Sequence, residues 1–80
     1  MSVTVLLFAS YADALGASRL ALDVREGATV SELLSRLRER AGAHALPPRP
    51  LVAVNEEYAS PDRALRAGDT VAIIPPVAGG

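Results

Sequence analysis

The chain has no cysteine and a single histidine, His44. Without a thiol it forms no disulfide and offers neither a thiol nucleophile nor a thiolate metal ligand. One imidazole falls short of the usual zinc ligand set. Lysine is absent too: all eight basic residues are arginine. No glycine loop of the form GxxxxGK[ST] or GxGxxG occurs, so the chain has no phosphate cradle of its own. No apolar run approaches the ~18 residues of a membrane span. The first residues lack the basic-then-apolar order of a signal peptide. The formal net charge is −1 and the isoelectric point about 5.7, which leaves no basic excess to hold nucleic acid or an anionic membrane. With no nucleophile–base pair and no metal set in view, an enzyme acting alone is not expected. The expectation is a cytoplasmic protein with no bound cofactor and no nucleic-acid or membrane partner.

What remains is an apolar chain. Half of its 80 residues are hydrophobic and the mean hydropathy is +0.26. That length makes one domain. Folding at this size buries only about 60–65% of the unfolded surface, so the core is small. The surplus of apolar residues points to a partner-facing patch.

Strands open and close the sequence. In "SVTVLLFAS", Val3, Val5, Leu7 and Ala9 share one face, and Leu6 and Phe8 fall on the other. Period-two alternation predicts a strand, and the second apolar face places it inside a sheet. "SYADALG" is short enough for a single turn, capped by Ser10 and ended by Gly16. "SRLALDV" sets Leu20, Leu22 and Val24 against Arg19 and Asp23, a half-buried second strand. The clearest helix is "GATVSELLSRLRERAG". Thr29 and Glu32 form a capping box, in which each side chain can satisfy an orphan N–H at the helix start. Val30, Leu33, Leu34, Leu37 and Ala41 share a face, Glu32 can pair with Arg36, and Gly42 is the expected stop. "AHALPPRP" is a loop. "LVAVNEEYA" reads as a strand, a turn at Asn55-Glu56 and a short return strand. "SPDRALRAGD" is an irregular connection with one helical turn. "TVAII" reads as a central strand buried on both faces. One helix then covers one face of a small mixed sheet, with the two terminal strands parallel at its centre. The fold class is α+β, in a ubiquitin-like β-grasp arrangement.

The last residues raise the functional question. The predicted domain runs over residues 1–74, and residues 75–80 form an extended tail, "PPVAGG". Pro75 and Pro76 stiffen the exit from the strand. Val77, Ala78, Gly79 and Gly80 then shrink to a tip with no side chain. Glycine makes up about 7% of residues, so a Gly-Gly end arises by chance in roughly one chain in two hundred. Such a tip fits a narrow channel and allows close backbone approach. Its reactive group is the α-carboxylate of Gly80, ionised at neutral pH. A carboxylate resists nucleophiles until it is activated, and a partner using ATP has to supply that step. Other polar residues read more simply. Glu56, Glu57, Asp62 and Asp69 are solvated turn residues, and His44 lies at the surface. Leu6, Phe8 and Ile73 belong either to the core or to the uncovered sheet face, and an exposed apolar face is the expected partner interface.

"VTVLLFASYADALG" at the start and "LVAVNEE…LRAGDTVAIIPPVAGG" at the end resemble the molybdopterin synthase small-subunit (MoaD-type) proteins of the β-grasp sulfur-carrier (MoaD/ThiS) family. "VN" before a turn, "GD" before the last strand and "PPVAGG" together carry the resemblance, which spans nearly the whole chain. One departure is Ala12-Asp13, where many members have an Arg-Glu pair. The resemblance implies a sulfur carrier. A MoeB-like adenylating partner uses ATP to join AMP to Gly80, and sulfur replaces the nucleotide as a thiocarboxylate. The tail, Pro75 to Gly79, enters a channel of a MoaE-like large subunit. Sulfur then passes to a cyclic pyranopterin monophosphate during molybdenum cofactor biosynthesis. Rival readings are a carrier for thiamine, cysteine or tRNA thiolation, a ubiquitin-like protein modifier, and a binding module with an inert tail. Pro-Pro before "VAGG" and the chain length favour the molybdopterin reading.

Overall fold

Strand alternation sets the layout. A computed structural model describes residues 1–76, and in it β1 (Ser2–Leu7) buries Val3, Val5 and Leu7 while Thr4 and Leu6 face the other way. Next come α1 (Ala9–Leu15), β2 (Arg19–Asp23), α2 (Val30–Leu37), a 3-10 turn (Ala43–Ala45), β3 (Leu51–Val54), β4 (Glu57–Tyr58) and β5 (Thr70–Ile74). The sheet order is β2-β1-β5-β3-β4. β1 and β5 run parallel at the centre, with Val5 opposite Val71 and Leu7 opposite Ile73. All other neighbours are antiparallel. The parallel pair needs a long crossover, and the chain between β1 and β5 supplies it.

α2 is the main cover of one sheet face. Val30, Leu33, Leu34 and Leu37 are its buried residues, and they meet Val3, Val5, Leu7, Val54, Val71 and Ile73 from the strands. Burying one such side chain stabilises the fold by about 1.5–3 kcal/mol. The Thr29 hydroxyl caps the helix, accepting from the Glu32 N–H at 3.3 Å. The Glu32 carboxylate, however, pairs with the Arg25 guanidinium rather than closing the capping box or meeting Arg36, and Arg36 turns to Glu39 at 3.7 Å.

α2 stops before the predicted end. Its last residue is Leu37, not one next to Gly42, and Ala41 is exposed. The Arg38 side chain donates to the Pro47 and Pro48 carbonyls at 2.7 and 3.1 Å, tying the unwound turn to the proline loop. Gly42 serves a different purpose from the one expected. It has φ +87°, and a Cβ there would lie 1.9 Å from the Ala14 carbonyl oxygen, so its backbone packs against the end of α1.

α1 also differs from the expected single turn. It is a seven-residue α-helix that begins after Phe8, with no side-chain cap, and Ser10 lies inside it. Gly16 ends it in the left-handed region, as expected. Tyr11 is buried in the common core, with Ala12 and Leu15 packed against that core. Tertiary contact of this kind sustains a helix too short to stand alone. The connection from Ser60 to Asp69 contains turns and a bridge from Ala64 to Thr29, not the helical turn expected, and it buries Leu65.

Candidate functional site

Among the described residues, no element covers the sheet face opposite α2. Strand pairing aligns Leu6 with Ala72, Ala72 with Ala53, Ala53 with Tyr58, and Leu51 with Ile74, all on that side. "TVAII" is therefore central but not covered on both faces. Val71 and Ile73 are buried beneath α2, while Ala72 and Ile74 are only half-buried. The physical reason is that the described residues supply no second layer on that side. The apolar residues that looked like a second core face are a surface.

That surface is a shallow apolar groove bounded by Leu6, Phe8, Ala53, Tyr58, Ile74 and Pro75, with Asn55, Glu56 and Thr70 at its polar end. Phe8, Leu51 and Tyr58 are the large hydrophobics that stand out from the fold, at 46%, 50% and 72% exposure. Ile73, left open between core and surface by the alternation, is fully buried. An apolar patch of this kind on a small domain marks an interaction site.

The groove leads to the root of the tail. β5 ends at Ile74, and Pro75 (half-buried) and Pro76 (exposed) follow it. Val77, Ala78, Gly79 and Gly80, the remaining tail residues predicted as functional, lie outside the described residues.

The opposite end of β5 is held by a polar clip that the turn reading missed. Asn55 and Glu56 form a two-residue hairpin loop with φ values of +49° and +70°. Asparagine tolerates that region well, and the strand twist favours it. The fold then spends the Asn55 side chain on β5. Its amide donates to an Asp69 carboxylate oxygen at 3.0 Å and its carbonyl accepts from the Thr70 N–H at 3.0 Å. The other Asp69 oxygen accepts from the Arg66 N–H at 2.8 Å. These bonds hold the Asp69 carboxyl below the usual carboxylate range. The Arg66 N–H is the largest cause; desolvation opposes it, and Asn55 and the positive Arg63 and Arg66 side chains add to the lowering. The "VN" and "GD" pairs in the sequence are the two halves of this clip. Glu56 and Asp62 are exposed turn residues, as read from the sequence; Glu57 is exposed too, but it belongs to β4 and not to the turn. The Asp62 carboxyl is also lowered, chiefly by the Ser60 hydroxyl that donates to it at 2.6 Å. His44 is exposed on the 3-10 turn. No helix among the described residues is long and apolar enough to cross a membrane.

Comparison with known proteins agrees with this geometry. Residues 5–80 match the ThiS family. The chain is 32% identical to the molybdopterin synthase sulfur carrier subunit of Chlamydomonas reinhardtii, with 100% of each chain covered. Among solved structures it is similar to SAMP1 from Haloferax volcanii, with a TM-score of 0.87, 31% identity and 100% of both chains covered. At the level of fold it also matches a chain in the complex of subunits 1 and 2 of the molybdopterin-converting factor from Helicobacter pylori, with a TM-score of 0.74, 23% identity and 100% of both chains covered. These neighbours share the ubiquitin-like β-grasp fold.

Proposed function

The chain belongs to the ThiS family, and from that premise we propose that it is the sulfur-carrier subunit of a molybdopterin synthase. The observation that carries the reading is the open apolar face running to the root of a "PPVAGG" tail. A docking surface and a reactive terminus are then parts of one device. The groove of Leu6, Phe8, Tyr58 and Ile74 seats a large, MoaE-like partner subunit. Pro75 and Pro76 stiffen the start of the tail, and that partner receives the tail.

The chemistry resides on the Gly80 carboxylate. An adenylating, MoeB-like partner supplies ATP, and a carboxylate oxygen attacks its α-phosphate. The Gly80 acyl adenylate forms and pyrophosphate leaves. A sulfur nucleophile then attacks the acyl carbon and AMP departs with the bonding electrons, leaving a thiocarboxylate. In the synthase complex the thiocarboxylate sulfur bonds to a carbon of the cyclic pyranopterin precursor and displaces an oxygen substituent; water then hydrolyses the acyl–sulfur bond, which leaves the sulfur on the pterin and returns the Gly80 carboxylate. This chain's own residues bind and position, and the ATP belongs to the partner. The small tip removes steric barriers to close approach by both partners. The whole cycle suits a cytoplasmic setting.

The test is intact mass. After incubation with the adenylating enzyme, ATP and a sulfide source, the protein should gain the mass difference between sulfur and oxygen, and lose it on adding the large subunit and pyranopterin. An unchanged mass in the first step refutes the carrier reading. A second reading is favoured by the likeness to SAMP1: transfer of the same activated carboxylate to a lysine amine of a target protein. Isopeptide-linked adducts in cells, with no thiocarboxylate, would identify that role instead.

A further inference from the structure

We propose that the free edge of β2 is a self-pairing site, where a second copy of this chain joins antiparallel about a two-fold axis at Ala21. β2 borders the sheet. The Val24 N–H donates to the Met1 carbonyl at 2.8 Å, and the Leu7 N–H donates to the Ser18 carbonyl at 2.9 Å. The even-numbered positions of this strand therefore turn their backbone groups toward β1. Arg19, Ala21 and Asp23 turn theirs off the sheet. A row of outward N–H and C=O groups is a template for another strand.

Edges are commonly blunted by proline, bulges or repelling charge. β2 has no proline, and its edge charges are opposite in sign. Arg19 and Asp23 are exposed, flank Ala21 and lie on the open face with it. Asp23 sits 3.4 Å from the Met1 ammonium yet remains 84% exposed, so an incoming guanidinium can reach it. With Ala21 opposite Ala21 of the second copy, Arg19 faces Asp23 at both ends, and Leu20 faces Leu22 twice on the covered side. A slip of two residues one way puts Arg19 opposite Arg25. The other slip leaves Arg19 opposite Ala21 and Leu22 opposite Ser18. In-register parallel pairing stacks like charges at both positions. Charge complementarity thus selects one register and one partner, a second copy of the chain, through an isologous interface.

This dimer does not consume the groove. A two-fold axis perpendicular to the sheet keeps both open faces on one side. It separates the two β5 strands by five strand spacings, about 24 Å. The pairing is independent of the sulfur-carrier reading and stands or falls separately.

Sedimentation over a concentration series tests it on the full chain. The wild type should dimerise. Arg19→Glu turns two attractive cross-strand pairs into two repulsive ones and should weaken the dimer about tenfold. The swap Arg19→Glu with Asp23→Arg should restore it. Ala21→Pro removes an outward N–H without touching the β1–β2 bonds and should abolish pairing. If circular dichroism shows that variant to be unfolded, the charge swap decides. A wild type that stays monomeric at its highest soluble concentration overturns the proposal. So does a dimer indifferent to Arg19→Glu, or one that the swap fails to rescue.

Discussion

Tyr58→Ala separates the open face from the core more sharply than any other single change. Tyr58 is 72% exposed at the border of the groove, with Ala53 as its cross-strand neighbour. Truncating an exposed side chain usually shifts stability by no more than about 0.5 kcal/mol. If the groove seats the large subunit, the same ring becomes buried in the complex. Losing a buried tyrosine anchor costs about 2 kcal/mol or more of binding. That corresponds to roughly a 30-fold rise in Kd. The assay pairs a urea melt of the free protein with calorimetric titration of the large subunit. An unchanged melt with weaker binding is the expected outcome. A clear loss of stability, or an unchanged Kd, would show that Tyr58 is structural or that the partner docks elsewhere.

Leu34→Ala and Leu37→Ala should each cost roughly 2–5 kcal/mol in denaturant melts, because both leucines lie on the buried face of α2; melts matching the parent would mean that the helix face is misassigned. Asp69→Asn should lower stability near neutral pH by weakening the clip on β5. The folded Asp69 pKa lies below its unfolded value, so its contribution is present above about pH 4 and is lost as pH falls through the folded pKa. The gap between parent and variant should therefore close in acid, and a gap that widens there would contradict the clip. Deleting Gly79 and Gly80 should reduce sulfur transfer far more than it reduces binding of the large subunit, and a pull-down that loses the complex would make the tail the main interface.

The period-two runs made the sheet legible from the residues. Val3, Val5 and Leu7 face the core as the alternation requires, whereas the nearly continuous apolar run of β5 did not say which of its residues would join them, and Val71 and Ile73 do. The α2 cap was legible for the same kind of reason, since Thr29 and Glu32 are local in sequence. What stayed hidden depends on distant contacts. α1 owes its second turn to the burial of Tyr11 in a core assembled from the rest of the chain. Gly42 answers to Ala14 across the fold rather than to its own helix. Asp69 looked like a solvated turn residue because its partner, Asn55, lies fourteen positions away. Leu6 and Phe8 were visibly apolar, but only the five-strand order showed that nothing in the described residues covers them. The role proposed for Gly80 rests on chemistry and on family membership, since the described residues end at Pro76.

The most direct test of the carrier claim adds one alanine after Gly80. The extended protein keeps every side chain and a free carboxylate, but moves that carboxylate by about 3.5 Å. A misplacement of about 1 Å can already cost 10²-fold in a positioned reaction. Termini tolerate such additions, so folding should be unchanged. The measurement is ATP–pyrophosphate exchange with the adenylating enzyme present. The parent should support exchange and the extended protein should not, while still binding the large subunit. Full exchange with the extended protein would contradict the assignment of the chemistry to Gly80.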